Sequence, residues 1–142
     1  MPYEAVNETL YTIAATAKGG RGGTVKSEDG VVDLPLGPPG STSNPKANPE
    51  TLFAAGYAAC FSGALNLVAK GEGLDTSEST VTADVTFGKT DSGFGLAVAL
   101  EAAIPGVDDA KAQELVEKAH EVCPYSKATR GNIDVTLKGR AA

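Results

Sequence analysis

Cys60, in AACFSGAL, and Cys123, in EVCPYSKATRGN, are the two cysteines of this 142-residue chain. A pair of thiols can form a staple, bind a metal, fill a core as two unrelated small hydrophobes, or work as a redox couple. Cys123 stands directly before Pro124. If Pro124 takes the first position of a short helix, Cys123 is its N-cap, where backbone N–H groups and the helix dipole favour a thiolate. Cys60 lies inside an apolar stretch, where burial raises the pKa of a thiol and leaves it inert. A reactive Cys60 therefore needs a cation brought to it. Lys18, Arg21, Lys46, Lys127 and Arg130 are the candidates. Arg21 stands among glycines, in GGRGG, so its backbone can approach a pocket closely. Its guanidinium would need a carboxylate to hold the fork in place. Glu50 is a candidate, although it lies three helical turns before Cys60 and the spacing alone does not pair them.

Other chemistries find less support. His120, the single histidine, lies in a highly charged segment and reads as a solvated surface residue rather than the base of a Cys–His protease. Cys60, Cys123 and His120 lack the local spacing of metal ligands, so no metal is expected. KGGRGG lacks the Gly-Lys-Ser/Thr ending of a phosphate loop. Ser62 and Ser126 have no nucleophile-elbow setting and read as helix residues with local hydrogen bonds.

The elements that must position the thiols are legible. TLYTIAATA and TVKSEDGVVDLPL read as strands, with GGRGG and EDG as hairpin tips. LGPPGSTSNPKANP is a long loop. Asn48-Pro49-Glu50 opens a helix that should run to about Lys70 and stop at Gly71. That helix is apolar nearly all round, with small residues Gly56, Ala59, Gly63 and Ala64 near one another, so it should be buried on all sides. One small sheet covers one side only, which makes a homodimer a physical expectation. STVTADVTFG and GFGLAVALEAAI form a hairpin; Val81, Ala83, Val85 and Phe87 share one face, and Leu96, Val98, Leu100, Ala102 and Ile104 another. Asp108 or Asp109 caps a helix with the stripe Ala112, Leu115, Val116, Ala119 and Val122. PYSKATR is a short helix closed by Gly131, and NIDVTLKG a final strand. The fold class is α+β with antiparallel sheet.

Size points to a single domain spanning 1–142. Hydrophobic content of 42% with 21% charged residues marks a folded globular chain, and a net charge of −6 argues against a nucleic-acid partner. Residues 52–69 carry no formal charge, yet their Ala, Gly, Ser62 and Asn66 suit a buried helix better than a membrane span. MPYEAVNETL shows no signal peptide, which leads to the expectation of a cytoplasmic protein with reduced thiols.

NPETLFAAGYAACFSGAL and CPYSKATRGN, two separated motifs in order, resemble the organic hydroperoxide resistance branch of the family that includes osmotically inducible protein C. The resemblance extends over nearly the whole chain, including LYTIAATAKGGRGG. It implies the OsmC-like fold, with a long buried central helix and an intertwined homodimer whose active sites lie at the subunit interface. It implies that Cys60 is the peroxidatic cysteine, Cys123 the resolving cysteine, Arg21 the thiolate-stabilising cation and Glu50 the carboxylate that orients it. It further implies an organic hydroperoxide substrate and reduction by dihydrolipoyl groups on lipoylated proteins, with no organic cofactor. Two rivals stand beside this reading. One is the osmotically induced branch, with a broader peroxide preference. The other is a non-enzymatic ligand-binding module whose cysteines form a permanent staple, worth about 4 kcal/mol for so long a loop.

Overall fold

A computed structural model describes residues 3–40 and 43–142. Residues 1–2, at the start of the N-terminal stretch, and 41–42, within the Pro/Gly loop, lie outside the described residues. The chain divides into two compact units, Met1–Pro49 and Glu50–Ala142.

In the first unit, β1 (Ala15–Lys18), β2 (Thr24–Ser27) and β3 (Asp33–Pro35) form an antiparallel sheet in that order. The strand expected from TLYTIAATA shrinks to its last residues. GGRGG makes the β1–β2 turn as one turn of 3-10 helix, Gly20–Gly22, entered through Gly19 and Gly20 at φ 80° and 70°. Gly23 is obligatory for another reason: a Cβ there would lie 1.8 Å from the Lys18 carbonyl oxygen. EDG makes the second turn, where Asp29 accepts from Ser27 Oγ and from the Val31 N–H.

The second unit holds α1 (Pro49–Gly71), β4 (Thr80–Thr90), β5 (Gly93–Ile104), α2 (Asp109–Val122), α3 (Pro124–Thr129) and β6 (Asp134–Ala141). β4 and β5 form the expected antiparallel hairpin, with Val81 opposite Ala102, Ala83 opposite Leu100 and Val85 opposite Val98. One element departs from the antiparallel expectation. β6 joins the far edge of β5 in parallel, placing Leu137 beside Leu100 and Gly139 beside Ala102. The crossover through α2 and α3 is what makes that parallel return possible.

These apolar rows face a single core, closed by Leu115, Val116 and Ala119 of α2 and Tyr57, Phe61 and Leu65 of α1. α2 starts at Asp108, whose carboxylate accepts from the Lys111 N–H. It then rides directly on β6, since a Cβ at Gly139 would meet the Ala112 carbonyl oxygen at 2.3 Å. Two residues expected in the core fall at its margin. Val122 is 49% exposed because the backbone leaves the helix at Cys123. Phe87 lies near the hairpin tip, 44% exposed, and stacks on the exposed Phe94.

α1 is long and apolar enough, by length and composition, to span a membrane. In the chain it buries Tyr57, Phe61, Ala64, Leu65 and Ala69 in the core, while Ala55, Ala59, Gly63 and Leu67 remain exposed. Burial on all sides is therefore not met within one chain.

Candidate active site

Cys60 sits on the fourth turn of α1, one residue before the fully buried Phe61. Cys123 sits between α2 and α3 with an extended backbone, φ −68° and ψ 123°, as the following proline demands. It closes α2, its N–H bonding the Ala119 carbonyl, and is the N-cap of α3, with Pro124 in the first turn. The fold brings the two sulfurs to 3.5 Å, with the Cys123 thiol donating to Cys60. Both are free thiols; Cys123 is fully buried and Cys60 partly so. Closing the gap to a disulfide of about 2.05 Å needs a shift of only about 1.5 Å.

The start of α3 serves the thiols in an unexpected way. Sequence reasoning gives its N–H groups to Cys123. Instead, the Tyr125 backbone N–H donates to the Cys60 sulfur and favours its thiolate. This does not offset the rest of the environment. Burial, the largest cause, holds the Cys60 pKa above the ordinary thiol value of 9.0. The requirement for an added cation stands.

Of the candidate cations, Arg130 is committed elsewhere: its guanidinium donates to the His120 carbonyl at 2.7 Å and so caps the end of α2. Arg21 is at the tip of the β1–β2 turn in the first unit, and Glu50 is in the first turn of α1. The ten residues from Glu50 to Cys60 rise about 15 Å along the helix, too far for direct contact between the two side chains. Among the described residues, no three His, Cys, Asp or Glu side chains gather as a metal-binding group.

Three residues gain a place that the sequence did not reveal. Ser126 is fully buried, and its hydroxyl bonds both the Tyr57 hydroxyl, at 2.8 Å, and His120 Nδ1, at 2.8 Å. Neither contact is local to α3, which corrects the reading of Ser126. His120 is half-buried rather than solvated, and its pKa is lowered, chiefly by burial and then by the Arg130 charge. Tyr57 also bonds Thr129 at 3.0 Å and packs its ring against Phe53, Phe61 and Tyr125. Gly56 leaves room for Tyr125, whose ring a Cβ would meet at 3.2 Å. The available signal was the spacing of the polar side chains His120, Ser126 and Thr129, which falls across two helices and so escapes a one-helix reading.

A long helix bearing one thiol, faced by a short helix bearing the second and backed by a mixed sheet, defines a dithiol α+β protein. The OsmC-like protein family model matches residues 40–138, and the chain belongs to that family. Within it, the chain is 51% identical to the organic hydroperoxide resistance protein of Xanthomonas axonopodis pv. citri, covering 92% of this chain and 94% of the relative. It is 48% identical to organic hydroperoxide resistance protein OhrB of Bacillus subtilis, covering 91% and 97%. The crystal structure of an organic hydroperoxide resistance protein from Elizabethkingia anophelis, with thiocyanate bound, superposes with a TM-score of 0.86 at 55% identity, covering 95% of this chain and 99% of that one.

Proposed function

We propose that the chain is a thiol peroxidase that reduces organic hydroperoxides to alcohols. The observation that carries this reading is the pair of free thiols at 3.5 Å, one of them receiving the Tyr125 N–H, in a chain about half identical to organic hydroperoxide resistance proteins. The Cys60 thiolate attacks the terminal oxygen of ROOH. A sulfur–oxygen bond forms and the O–O bond breaks. RO⁻ leaves and takes a proton to become the alcohol, and Cys60 becomes a sulfenic acid. The Cys123 sulfur then attacks Cys60, water leaves, and a disulfide forms. Two thiols of a dihydrolipoyl group, carried on a lipoylated protein, restore the dithiol and become the cyclic lipoyl disulfide. The sulfurs carry the whole redox change, so no organic cofactor or metal enters.

In this reading Arg21 supplies the cation that Cys60 lacks and favours the charge developing on the leaving oxygen, and Glu50 holds the guanidinium. The family resemblance and the glycine turn around Arg21 support these two roles. The two units act as a single OsmC-like domain. Two chains form an intertwined homodimer, which would cover the exposed Ala55–Leu67 face of α1. The protein works in the cytoplasm, where a dithiol stays reduced between turnovers.

The deciding assay compares tert-butyl hydroperoxide with hydrogen peroxide, using dihydrolipoamide as reductant. Faster consumption of the organic peroxide is expected, with two thiols lost per molecule when the reductant is left out. Equal or better use of hydrogen peroxide would favour the osmotically induced branch. A disulfide that resists reduction, with no peroxide consumed, would favour the structural staple.

A further inference from the structure

Beneath α3 lies a buried polar cluster that the peroxide chemistry above does not use. Its members come from three helices: Tyr57 from α1, His120 from α2, and Ser126 and Thr129 from α3. Counting protons gives the cluster a direction. Thr129 Oγ1 donates at 3.3 Å to the Ser126 carbonyl oxygen, which can only accept and which also takes the Arg130 N–H at 2.7 Å. With the threonine proton given to that carbonyl, the Thr129 oxygen accepts from the Tyr57 hydroxyl at 3.0 Å. Tyr57 has one proton, so its oxygen accepts from the Ser126 hydroxyl. Ser126 also has one, so its oxygen accepts from His120, and the donor is Nδ1–H.

We infer that His120 is a positioning residue for the Cys60–Cys123 couple. It heads a one-way chain from His120 Nδ1–H through Ser126, Tyr57 and Thr129 to the Ser126 carbonyl. That chain fastens α3 to α1 and α2. The same helix start carries Cys123 and the Tyr125 N–H that reaches Cys60. α3 has only six residues, with Pro124, Tyr125, Lys127 and Ala128 exposed, and the packing of the Tyr125 ring against Tyr57 adds to the hold of the chain. Arg130 reinforces the anchor by gripping the His120 carbonyl. The inference rests on the proposed peroxidase reading and names residues that set its second step, disulfide formation.

The test uses stoichiometric tert-butyl hydroperoxide on the reduced full-length protein. Disulfide formation is followed by intact mass and Cys60 sulfenic acid by dimedone trapping. Asparagine carries its amide nitrogen as many bonds from Cα as histidine carries Nδ1, so His120→Asn keeps the donor and His120→Leu deletes it. His120→Leu and Tyr57→Phe should slow disulfide formation about tenfold or more and divert Cys60 to sulfinic acid, because misplacement of a reacting group by about 1 Å is that costly. His120→Asn should stay within about twofold of the unaltered protein. In a Cys123→Ser background, neither His120→Leu nor Tyr57→Phe should slow the first oxidation by more than about threefold. Tyr57→Phe keeps the ring packing, so it decides the matter if His120→Leu fails to fold. Disulfide formation at the unaltered rate in Tyr57→Phe, or His120→Asn as slow as His120→Leu, would overturn the assignment. Nitrogen-15 NMR of His120 gives an arm independent of peroxide: a proton on Nδ1 supports the chain, and a neutral ring protonated only on Nε2 sinks it. If the unaltered protein forms no Cys60–Cys123 disulfide at all, the peroxidase reading itself fails, and the NMR arm alone then judges the chain.

Discussion

Cys60 illustrates how one side chain can be placed for reaction and still be held back by its surroundings. Burial raises its pKa, and the Tyr125 N–H only partly opposes it. A raised thiol pKa means that the reactive thiolate is scarce at neutral pH and grows as pH rises. A cation beside the sulfur shifts that rise to lower pH. If Arg21 is this cation, Arg21→Gln should move the rise of the peroxide-attack rate upward by roughly 1–3 pH units. A pH profile that stays in place would remove Arg21 from the role. The two cysteines are separated by a different measurement. Cys60→Ser should abolish peroxide reduction, while Cys123→Ser should still take one oxidation and leave a trappable sulfenic acid. Retained activity in Cys60→Ser, with first oxidation on Cys123, would reverse the assignment. At this scale the sequence was informative about which residues matter and poor at saying how they are served. The N–H groups at the start of α3 looked like help for Cys123 because the two are adjacent in sequence. The helix instead aims the N–H of Tyr125 across to Cys60, in a segment far away in the sequence.

The elements were easier to read, because periodicity and caps are local. Pro49 and Gly71 bound α1 as expected, Asp108 caps α2, and Pro124 opens α3. The hairpin of β4 and β5 pairs the rows that alternation marked as facing the core. What local signals could not carry is the partner of β6, since NIDVTLKG alternates equally well in a parallel or an antiparallel neighbour. Gly139 is the residue that records the outcome. Its missing side chain lets the α2 backbone lie on the strand, and its N–H donates to Gln113 Oε1 at 2.8 Å. Gly139→Ala must push α2 away from β6 and should cost about 1–3 kcal/mol, as overpacked cores do. Urea unfolding gives the value, and a loss below half a kcal/mol would show that the contact yields easily. Because α2 also carries His120 and ends at Cys123, the same substitution should slow disulfide formation.

For the whole molecule, the unresolved physical demand is the exposed side of α1. Leu67 is 66% exposed, and Ala55, Ala59 and Gly63 line up with it at intervals of four residues. A helix this apolar is stable in water only if its second side is also covered. A second copy of the chain meets the demand, and the family resemblance points the same way. Gly63 allows a clean test. Within one chain Gly63 is exposed and a Cβ at this position meets nothing within 4 Å, so a side chain here starts into open space. Replacing glycine in a helix interior also removes a conformational penalty of up to about 1 kcal/mol. Gly63→Leu should therefore leave the fold of a lone chain intact. If two α1 helices approach closely along this stripe, the same leucine must force them apart. Sedimentation velocity should then show a dimer for the unaltered protein and a folded monomer for Gly63→Leu, with far-UV circular dichroism unchanged. Peroxide turnover should fall with the dimer if the site needs both subunits. A dimer that survives Gly63→Leu with the same dissociation constant would place the interface elsewhere and leave α1 without its second cover.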